Sequence, residues 1–282
     1  MRDSRWFRSF RTNRGAVVGL TLVTSAIVFA FAGPHLAPFP PNEQFAEGLS
    51  KLGIPQPPGG IFLLGADGLG RDELSRLLHG GRVSLQIALS ATGLALSLGL
   101  SVGVVSGYFG GWIDQLAMRA VDVLLSLPFL LIAIAVNRAL AKSGLTTLCL
   151  LLGFFSWPAL ARVTRAKVMQ VRGLEYVAAA RALGALDVRI LLHHVLPNVI
   201  GPAVVLGTGM VADMIIVESA MSFLGLGVQP PQASWGSMLH DSQELMSYAP
   251  HLLIAPAALI VITVFGFNLL GEGLRDALDP KS

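Results

Sequence analysis

Long apolar stretches, separated by polar connections, run through most of the chain. Six of them approach or exceed the roughly 18 to 20 residues that a helix needs to cross a bilayer. They cover about 15–37, 83–109, 116–137, 145–162, 199–224 and 252–271. Inside a membrane every backbone polar group has to be satisfied within the protein, so each stretch is expected to be a helix. The pattern therefore predicts an all-α integral membrane protein with six transmembrane helices.

Composition agrees with this pattern and excludes several functions. The 282 residues are 53% hydrophobic and 13% charged, whereas a soluble domain carries about 25% charged residues. Cys149 is the single cysteine, which excludes an internal disulfide and a cysteine-cluster metal site. Basic residues do not alternate with aromatic residues along a stripe, so we expect membrane lipid and no nucleic acid as a partner.

Lysine and arginine predict the orientation, because cytoplasmic segments carry an excess of both. With the N-terminus in the cytoplasm, fourteen of the 20 Lys and Arg residues fall inside and six fall outside. The inside set is Arg2, Arg5, Arg8, Arg11, Arg14, Arg119, Arg162, Arg165, Lys167, Arg172, Arg181, Arg189, Arg275 and Lys281; the outside set is Lys51, Arg71, Arg76, Arg82, Arg138 and Lys142. Both termini and residues 163–197 are predicted to be cytoplasmic.

The arginine-rich N-terminus and the triplet Ala30-Phe31-Ala32 also fit a cleaved signal peptide. However, the apolar stretch from about Gly15 to Ala37 is long for the core of a signal peptide, and further spans follow it. An uncleaved first helix is the simpler interpretation.

The first outside connection, about 38–82, is rich in Pro and Gly and ends in GADGLGRDELSRLLHGGRVS. Asp72 is placed to cap a short helix that Gly80-Gly81 would end. The apolar residues of that helix are Leu74, Leu77 and Leu78. GADGLG lacks the Lys-Ser/Thr pair of a phosphate-binding loop, so the sequence does not support a nucleotide site there.

Small residues recur at every fourth position of the second span, at Ala91, Ala95, Gly99, Gly103 and Gly107. Such a ridge lets two helix backbones approach closely where no hydrophobic force acts between helices. It fits packing inside this chain, and it also fits a seam against a second membrane subunit. The pattern does not separate the two.

The polar insert Glu175–Pro197 is predicted to be a helix-turn-helix on the cytoplasmic side. Glu175 and Arg181 suit the dipole of a first helix, which Gly184 would end. Asp187 is predicted to cap the second helix, and Pro197 to end it. The apolar face of that second helix is predicted from the spacing of Val188, Leu191, Leu192 and Val195.

Two interpretations of this insert stay open. An amphipathic helix lying on lipid suits the second half. The first half presents only Ala178, Ala179 and Ala180 as its small apolar surface. Short side chains anchor weakly in a bilayer but permit close insertion into a protein groove, which favours docking onto another protein.

Two carboxylates, Asp213 and Glu218, lie in the fifth span. Intramembrane carboxylates are costly and by default indicate a pathway or a partner, so both are candidates for lining a translocation pathway. Alternatively, Glu218 lies near the outer interface and is hydrated. In the following outside segment, 225–250, Trp235 is expected to anchor an ordered loop at the membrane interface, and the loop is a candidate for facing a binding protein.

Sequence motifs for catalysis or metal binding are absent. His193 and His194 are adjacent and point to different helix faces, so they do not form a metal-binding pair. No Ser-His-Asp arrangement and no GxSxG motif can be identified. The chain also contains no GxxxxGK[ST] motif, so any ATP that drives it has to bind another polypeptide.

Four separated motifs are notable: GADGLGRDELSRLLHGGRVSL before the second span, EYVAAARALGA…HHVLPN in the insert, SFLGLGVQPPQASWGSML after the fifth span, and FNLLGEGLRDALDPK near the C-terminus. Together they resemble the dipeptide, oligopeptide and nickel permeases of bacterial ABC importers. The resemblance covers nearly the whole chain. One departure is that Ala178 stands where the general pattern has a glutamate, with Glu175 one turn earlier.

The resemblance implies a type I ABC importer permease fold. Residues 1–82 would hold the N-terminal tail, the first span and an outside loop, and residues 83–282 a five-helix core with the coupling loop 163–197. A coupling helix in that loop would enter a cleft of a cytoplasmic ATPase. The implied docking residues are Glu175, Ala178, Ala179, Ala180, Arg181, Gly184 and Pro197.

The same resemblance implies the partners and the location. They are a second homologous permease, two cytoplasmic ABC ATPase subunits that hold ATP and Mg, and an extracytoplasmic substrate-binding protein. The chain itself would bind no cofactor, catalyse no reaction and lie in a bacterial inner membrane. Peptides are the expected substrate, with nickel, glutathione or another small solute as alternatives. An ion-coupled secondary transporter is the alternative from a different class.

Overall fold

The structure is a computed structural model that describes residues 10–139 and 144–278. Within these ranges it consists of helices, turns and loops, with isolated β-bridges and no strand. Part of the orientation prediction rests on residues outside these ranges, namely Arg2, Arg5, Arg8, Lys142 and Lys281.

Nine helices, numbered α1 to α9 here, organise the described part of the chain. Their bounds are Arg14–Ala32, Glu73–Phe109, Gly111–Ser126, Phe129–Ala139, Leu145–Arg172, Glu175–Ala182, Asp187–Phe223, Trp235–Asp241 and His251–Leu278. Five helices, α1, α2, α5, α7 and α9, are long and apolar enough to cross a membrane. A sixth span is obtained if α3 and α4 are counted together.

The third predicted span, about 116–137, is not one straight helix. The axes of α3 and α4 meet at 79°. Leu127 is extended, with φ −77° and ψ 129°, and Pro128 follows it. Since proline disfavours helical geometry in the residue before it and has no N–H to donate, the apolar stretch breaks at this point.

Helix α2 begins earlier than the predicted second span. Asp72 caps it as expected, because its carboxylate accepts a 2.7 Å hydrogen bond from the backbone N–H of Ser75. The expected end at Gly80-Gly81 is wrong, because α2 continues to Phe109 and crosses the proposed boundary at residue 82. A Cβ on Gly81 would lie 2.8 Å from the ring of Trp235, so this glycine permits a close approach between segments.

The small-residue ridge of α2 lies against α5 of the same chain. Cβ atoms built at Gly99, Gly103 and Gly107 would lie 2.6 to 2.9 Å from the side chains of Leu160, Thr164 and Val168. Ala91 and Ala95 have no exposed surface. The ridge therefore joins two helices of one subunit and leaves no surface for a seam with another.

Helix α1 packs on α9 at the side of the helical core. A Cβ on Gly19 would come within 2.4 Å of the backbone of Leu270, and one on Gly273 within 2.3 Å of Ala16. The two helices thus cross where each presents a glycine, so that their backbones touch.

Candidate functional site

The first candidate site is the elbow, defined here as residues 175–195. Helix α6 forms its first arm and ends at Ala182, with Leu183 in the C-cap position. Gly184 adopts φ +82°, and its N–H and that of Ala185 bond back to the carbonyls of Arg181 and Ala180. Nothing lies within 4 Å of a Cβ built there, so only the left-handed backbone conformation calls for glycine.

The second arm differs from the prediction in where it starts. Leu186, not Asp187, occupies the N-cap position, and Asp187 is the first helical residue. Instead of capping the helix, the Asp187 carboxylate accepts a 2.6 Å hydrogen bond from the hydroxyl of Tyr108.

The expected end of the second arm at Pro197 is also wrong. Residues Asp187–Phe223 form one continuous helix, which contains a π-helical turn at Leu191–Val195. In this turn the N–H of Leu196 bonds to the carbonyl of Leu191, five residues back. Because the bonding pattern has already shifted there, the missing N–H of Pro197 does not end the helix.

The π-helical turn changes which side chains of the second arm are buried. Ile190 and Val195 are fully buried and Leu191 is half-buried, whereas Val188 and Leu192 are exposed. The expected apolar face at i, i+3, i+4 and i+7 is therefore wrong for two of its four residues. A π turn adds a residue to the turn, so the periodicity of a regular α-helix fails there.

The outward surface of the elbow is apolar. Leu183 is 88% exposed and Leu186 is 77% exposed, and the small side chains of Ala178 and Ala179 are exposed beside them. Glu175 and Arg181 are exposed at opposite ends of α6. Clustered large apolar side chains rimmed by charges are typical of a surface that another molecule covers.

A second site lies at the opposite end of α2, in the cap, which is defined here as residues 38–72 and 224–250. Arg71 and Arg76 both pair with Asp67, at 2.7 and 3.2 Å. Arg76 also reaches Asp241 at 3.5 Å. Desolvation raises the pKa of Asp241, and the two arginines oppose this shift.

The network borders a cavity of about 550 Å³ between the two halves of the cap. Its polar wall includes Asp67, Arg71, Gln229, Asp241 and Glu244. The sequence pattern did not predict this site. The i,i+4 spacing of Asp67 and Arg71 was visible, but no local pattern indicates that Asp241 comes from a distant helix to join them.

Glu218 lies in neither of the two environments expected for it. Pathway lining and interfacial hydration both need an exposed carboxylate, and this one is fully buried. It accepts hydrogen bonds from Ser84 at 3.1 Å and Ser222 at 2.7 Å. Asp213, one and a half turns earlier, is exposed on α7, and its role in a pathway stays a prediction.

Trp235 is not an interface anchor. Its side chain is completely buried, and the indole N–H donates a 3.1 Å hydrogen bond to the carbonyl of Leu77 on α2. The indole satisfies its polar edge inside the protein, so the ring fastens the cap to α2 and does not mark the bilayer surface.

Among the described residues, no group of three or more His, Cys, Asp or Glu side chains could hold a metal ion. Cys149 is a free, half-buried thiol.

Two protein families match this chain. Residues 99–282 match the family described as binding-protein-dependent transport system inner membrane component. Residues 4–58 match the N-terminal transmembrane domain of oligopeptide transport permease C.

Curated relatives match over nearly their full length. A dipeptide transport system permease protein of Alkalihalophilus pseudofirmus is 38% identical, and the match covers 98% of this chain and 88% of the relative. A glutathione transport system permease protein of Pectobacterium atrosepticum is 39% identical, with 98% and 90% covered. An oligopeptide transport system permease protein of Bacillus subtilis is 39% identical, with 96% and 87% covered.

A solved structure shares the fold. A chain of the methionine ABC transporter in an inward-facing conformation superposes with a TM-score of 0.59 and 18% identity. The superposition covers 72% of this chain and 96% of the other.

Proposed function

We propose that this chain, which belongs to the family of inner-membrane components of binding-protein-dependent transport systems, forms half of a pathway that imports peptides. The family assignment confirms the resemblance found in the four sequence motifs. The chain is a multi-pass permease of an ABC importer with the expected all-helical fold, and ATP hydrolysis belongs to a separate subunit.

The peptide substrate is supported by the relatives named for dipeptide and oligopeptide transport. The relative named for glutathione transport is equally similar in sequence and keeps that solute as the second candidate. Identity alone does not separate the two, since both lie at 38 to 39%.

The exposed apolar surface of the elbow supports a role in coupling ATP hydrolysis to transport. A permease of this family works with an ATPase and a substrate-binding protein. We assign the elbow surface around Leu183 and Leu186 to a cleft of the ATPase, which would cover two large apolar side chains that are otherwise left in water. Two ATPase subunits and a second homologous permease would complete the transporter, with ATP and Mg held by the ATPases.

The orientation follows from this assignment. The elbow lies in the cytoplasm with both termini, and the cap lies outside, where a binding protein delivers the substrate. Lysine and arginine placement supports this arrangement, because six of the basic residues lie between Arg162 and Arg189, around the elbow.

The mechanism is a two-state switch driven from the elbow. ATP binds the closed form of the ATPase pair more tightly than the open form, so it draws the two elbows together. Helices seated on the elbow then move as rigid bodies and open the pathway outward. Release of ADP and phosphate resets the transporter.

Reconstitution tests the function directly. The permease pair, the ATPases and the binding protein are placed in liposomes, and uptake of a radiolabelled dipeptide and tripeptide mixture is measured with and without ATP. Glutathione and Ni²⁺ are tested in parallel. ATP-dependent peptide uptake is the expected result. Uptake by the permeases without the ATPase would instead indicate a secondary transporter, and uptake of glutathione or Ni²⁺ alone would overturn the peptide assignment.

A further inference from the structure

The phenol of Tyr108 connects helix α2 to both arms of the elbow. Tyr108 lies one residue before the end of α2, and its hydroxyl donates a 2.6 Å hydrogen bond to the carboxylate of Asp187. The same oxygen accepts a 3.4 Å hydrogen bond from the guanidinium of Arg181. Arg181 lies on α6 and Asp187 on α7, so one side chain contacts the elbow on each side of its turn.

Apolar packing places the elbow on the same end of α2. Val177, the one buried side chain of α6, and the fully buried Ile190 join Tyr108 in a single hydrophobic cluster. Val104 of α2 and Val168 of α5 belong to the same cluster. The elbow is therefore seated on α2 as well as connected through the chain to α5 and α7.

The opposite end of α2 holds the cap. The carbonyl of Leu77 receives the indole N–H of Trp235, and the hydroxyl of Ser84 receives the backbone N–H of the same residue. Arg76 lies in the ion-pair network with Asp241. Thus α2 contacts the elbow at one end and the cap at the other.

Helix α2 is suited to carry movement between these two ends. Its 37 residues contain no proline and form one continuous helix, which spans about 55 Å at 1.5 Å per residue. The small-residue ridge packs the half of α2 nearest the elbow closely against α5, because a Cβ on Gly99, Gly103 or Gly107 would come within 3 Å of that helix. A displacement at Tyr108 is therefore transmitted along a rigid helix to the residues that hold the cap.

We propose that Tyr108 is a positioning residue that transmits the movement of the elbow to α2 and so to the cap. This inference rests on the proposed function, since it assigns the route by which the ATPase would act on the outer face. A hydrogen bond to a charged group contributes about tenfold or more to an equilibrium. Because coupling between two sites is reciprocal, an event at the cap would reach the ATPase by the same route.

The test uses the complete transporter in nanodiscs, with a fluorophore on the cap as reporter. Gln232 is an exposed cap residue, so a Gln232→Cys substitution in an otherwise cysteine-free complex, including Cys149→Ser, gives one labelling site on this chain. Fluorescence is recorded before and after addition of ATP and vanadate. Tyr108→Phe removes only the hydroxyl, and we expect it to lower the equilibrium constant of the nucleotide-induced change about tenfold while subunit ratio and ATP binding stay unchanged.

Two further variants separate coupling from stability. Tyr248→Phe makes the same chemical change at a tyrosine that is 70% exposed on the cap, and it should keep the full response. Asp187→Asn weakens the same hydrogen bond by changing the acceptor, whose side chain is exposed. The double variant should respond as Tyr108→Phe alone does, because that change has already removed the bond.

The possible results of this experiment distinguish the role of Tyr108 from the proposed function. A full nucleotide response in Tyr108→Phe would overturn the inference and leave the proposed function intact. A wild-type complex that shows no nucleotide response would contradict the proposed function instead. If Tyr108→Phe does not assemble, Asp187→Asn alone decides, because its side chain is exposed and its loss leaves the buried cluster in place.

Discussion

The carboxylate of Glu218 accepts a hydrogen bond from the hydroxyl of Ser84 at 3.1 Å, although 134 positions separate the two residues along the chain. Both side chains have no exposed surface. The hydroxyl of Ser84 also receives the backbone N–H of Trp235, and Ser222 donates to the second oxygen of Glu218. One buried carboxylate thus joins α2, α7 and the start of α8 through hydroxyl groups.

Removing this carboxylate should lower stability. Glu218→Leu leaves the hydroxyls of Ser84 and Ser222 without their acceptor, and each unpaired buried group costs about 1–3 kcal/mol. Glu218→Gln keeps one carbonyl oxygen in place and should cost less. Thermal unfolding of the purified complex in detergent measures the difference. Asp213→Leu is the control, because Asp213 lies on an exposed face of the same helix. Equal unfolding midpoints for Glu218→Leu and wild type would show that the hydrogen bonds of Ser84 and Ser222 to Glu218 do not stabilise the protein.

The contact of α2 with α5 should not tolerate a single added methyl group. A Cβ at Gly103 would lie 2.6 Å from the backbone carbonyl of Ala161, so Gly103→Ala has to push two helices apart. Such overpacking costs about 1–3 kcal/mol. Gly93, on the same helix, has nothing within 4 Å of its built Cβ. Gly93→Ala should therefore be neutral or slightly stabilising. Unfolding midpoints of the two variants that move together would argue against this packing.

The elbow surface should lose its partner when one apolar side chain becomes charged. Burying a leucine contributes about 1.5–3 kcal/mol, so Leu183→Asp should weaken ATPase binding more than tenfold. Leu52 offers a matched control, because it is 85% exposed on the cap while Leu183 is 88% exposed on the elbow. Co-purification of the ATPase with each variant gives the measurement. ATPase retained by Leu183→Asp, or lost equally from Leu52→Asp, would contradict docking at the elbow.

The cap should loosen when the indole of Trp235 is shortened. Trp235→Phe removes the hydrogen bond to the carbonyl of Leu77, which keeps its partner inside α2, so the lost bond costs about 0.5–1.5 kcal/mol before the lost volume is added. Trp112 is 72% exposed, so Trp112→Phe makes the same change without burial. Limited proteolysis of the loop around Pro230 reports on the cap, and only Trp235→Phe should accelerate it. Unchanged cleavage would show that Trp235 does not fasten the loop.

Local patterns were sufficient where a segment's structure depends on its own residues and its solvent. The apolar stretches predicted five of the helical spans, because the need to bury polar backbone in lipid acts on each segment separately. Asp72 and Gly184 were recognised for the same reason, since a cap and a left-handed stop involve neighbours within a few residues. Pro128 is visible in the sequence, but hydropathy takes no account of it, so the third span is predicted as one helix.

Contacts between distant parts of the chain settled the rest. The sequence predicts a helix stop at Gly81, whereas in the structure this glycine makes room for Trp235. The small-residue ridge fits two partners by its sequence, and in the structure it lies against α5. The sequence predicts Glu218 as a pathway residue because two of its serine neighbours, Ser84 and Ser234, come from distant segments. Hydropathy and spacing determine which segments are helical, since those forces act locally. Which side chains meet is decided by packing, because close contact between two helices depends on the shapes of both.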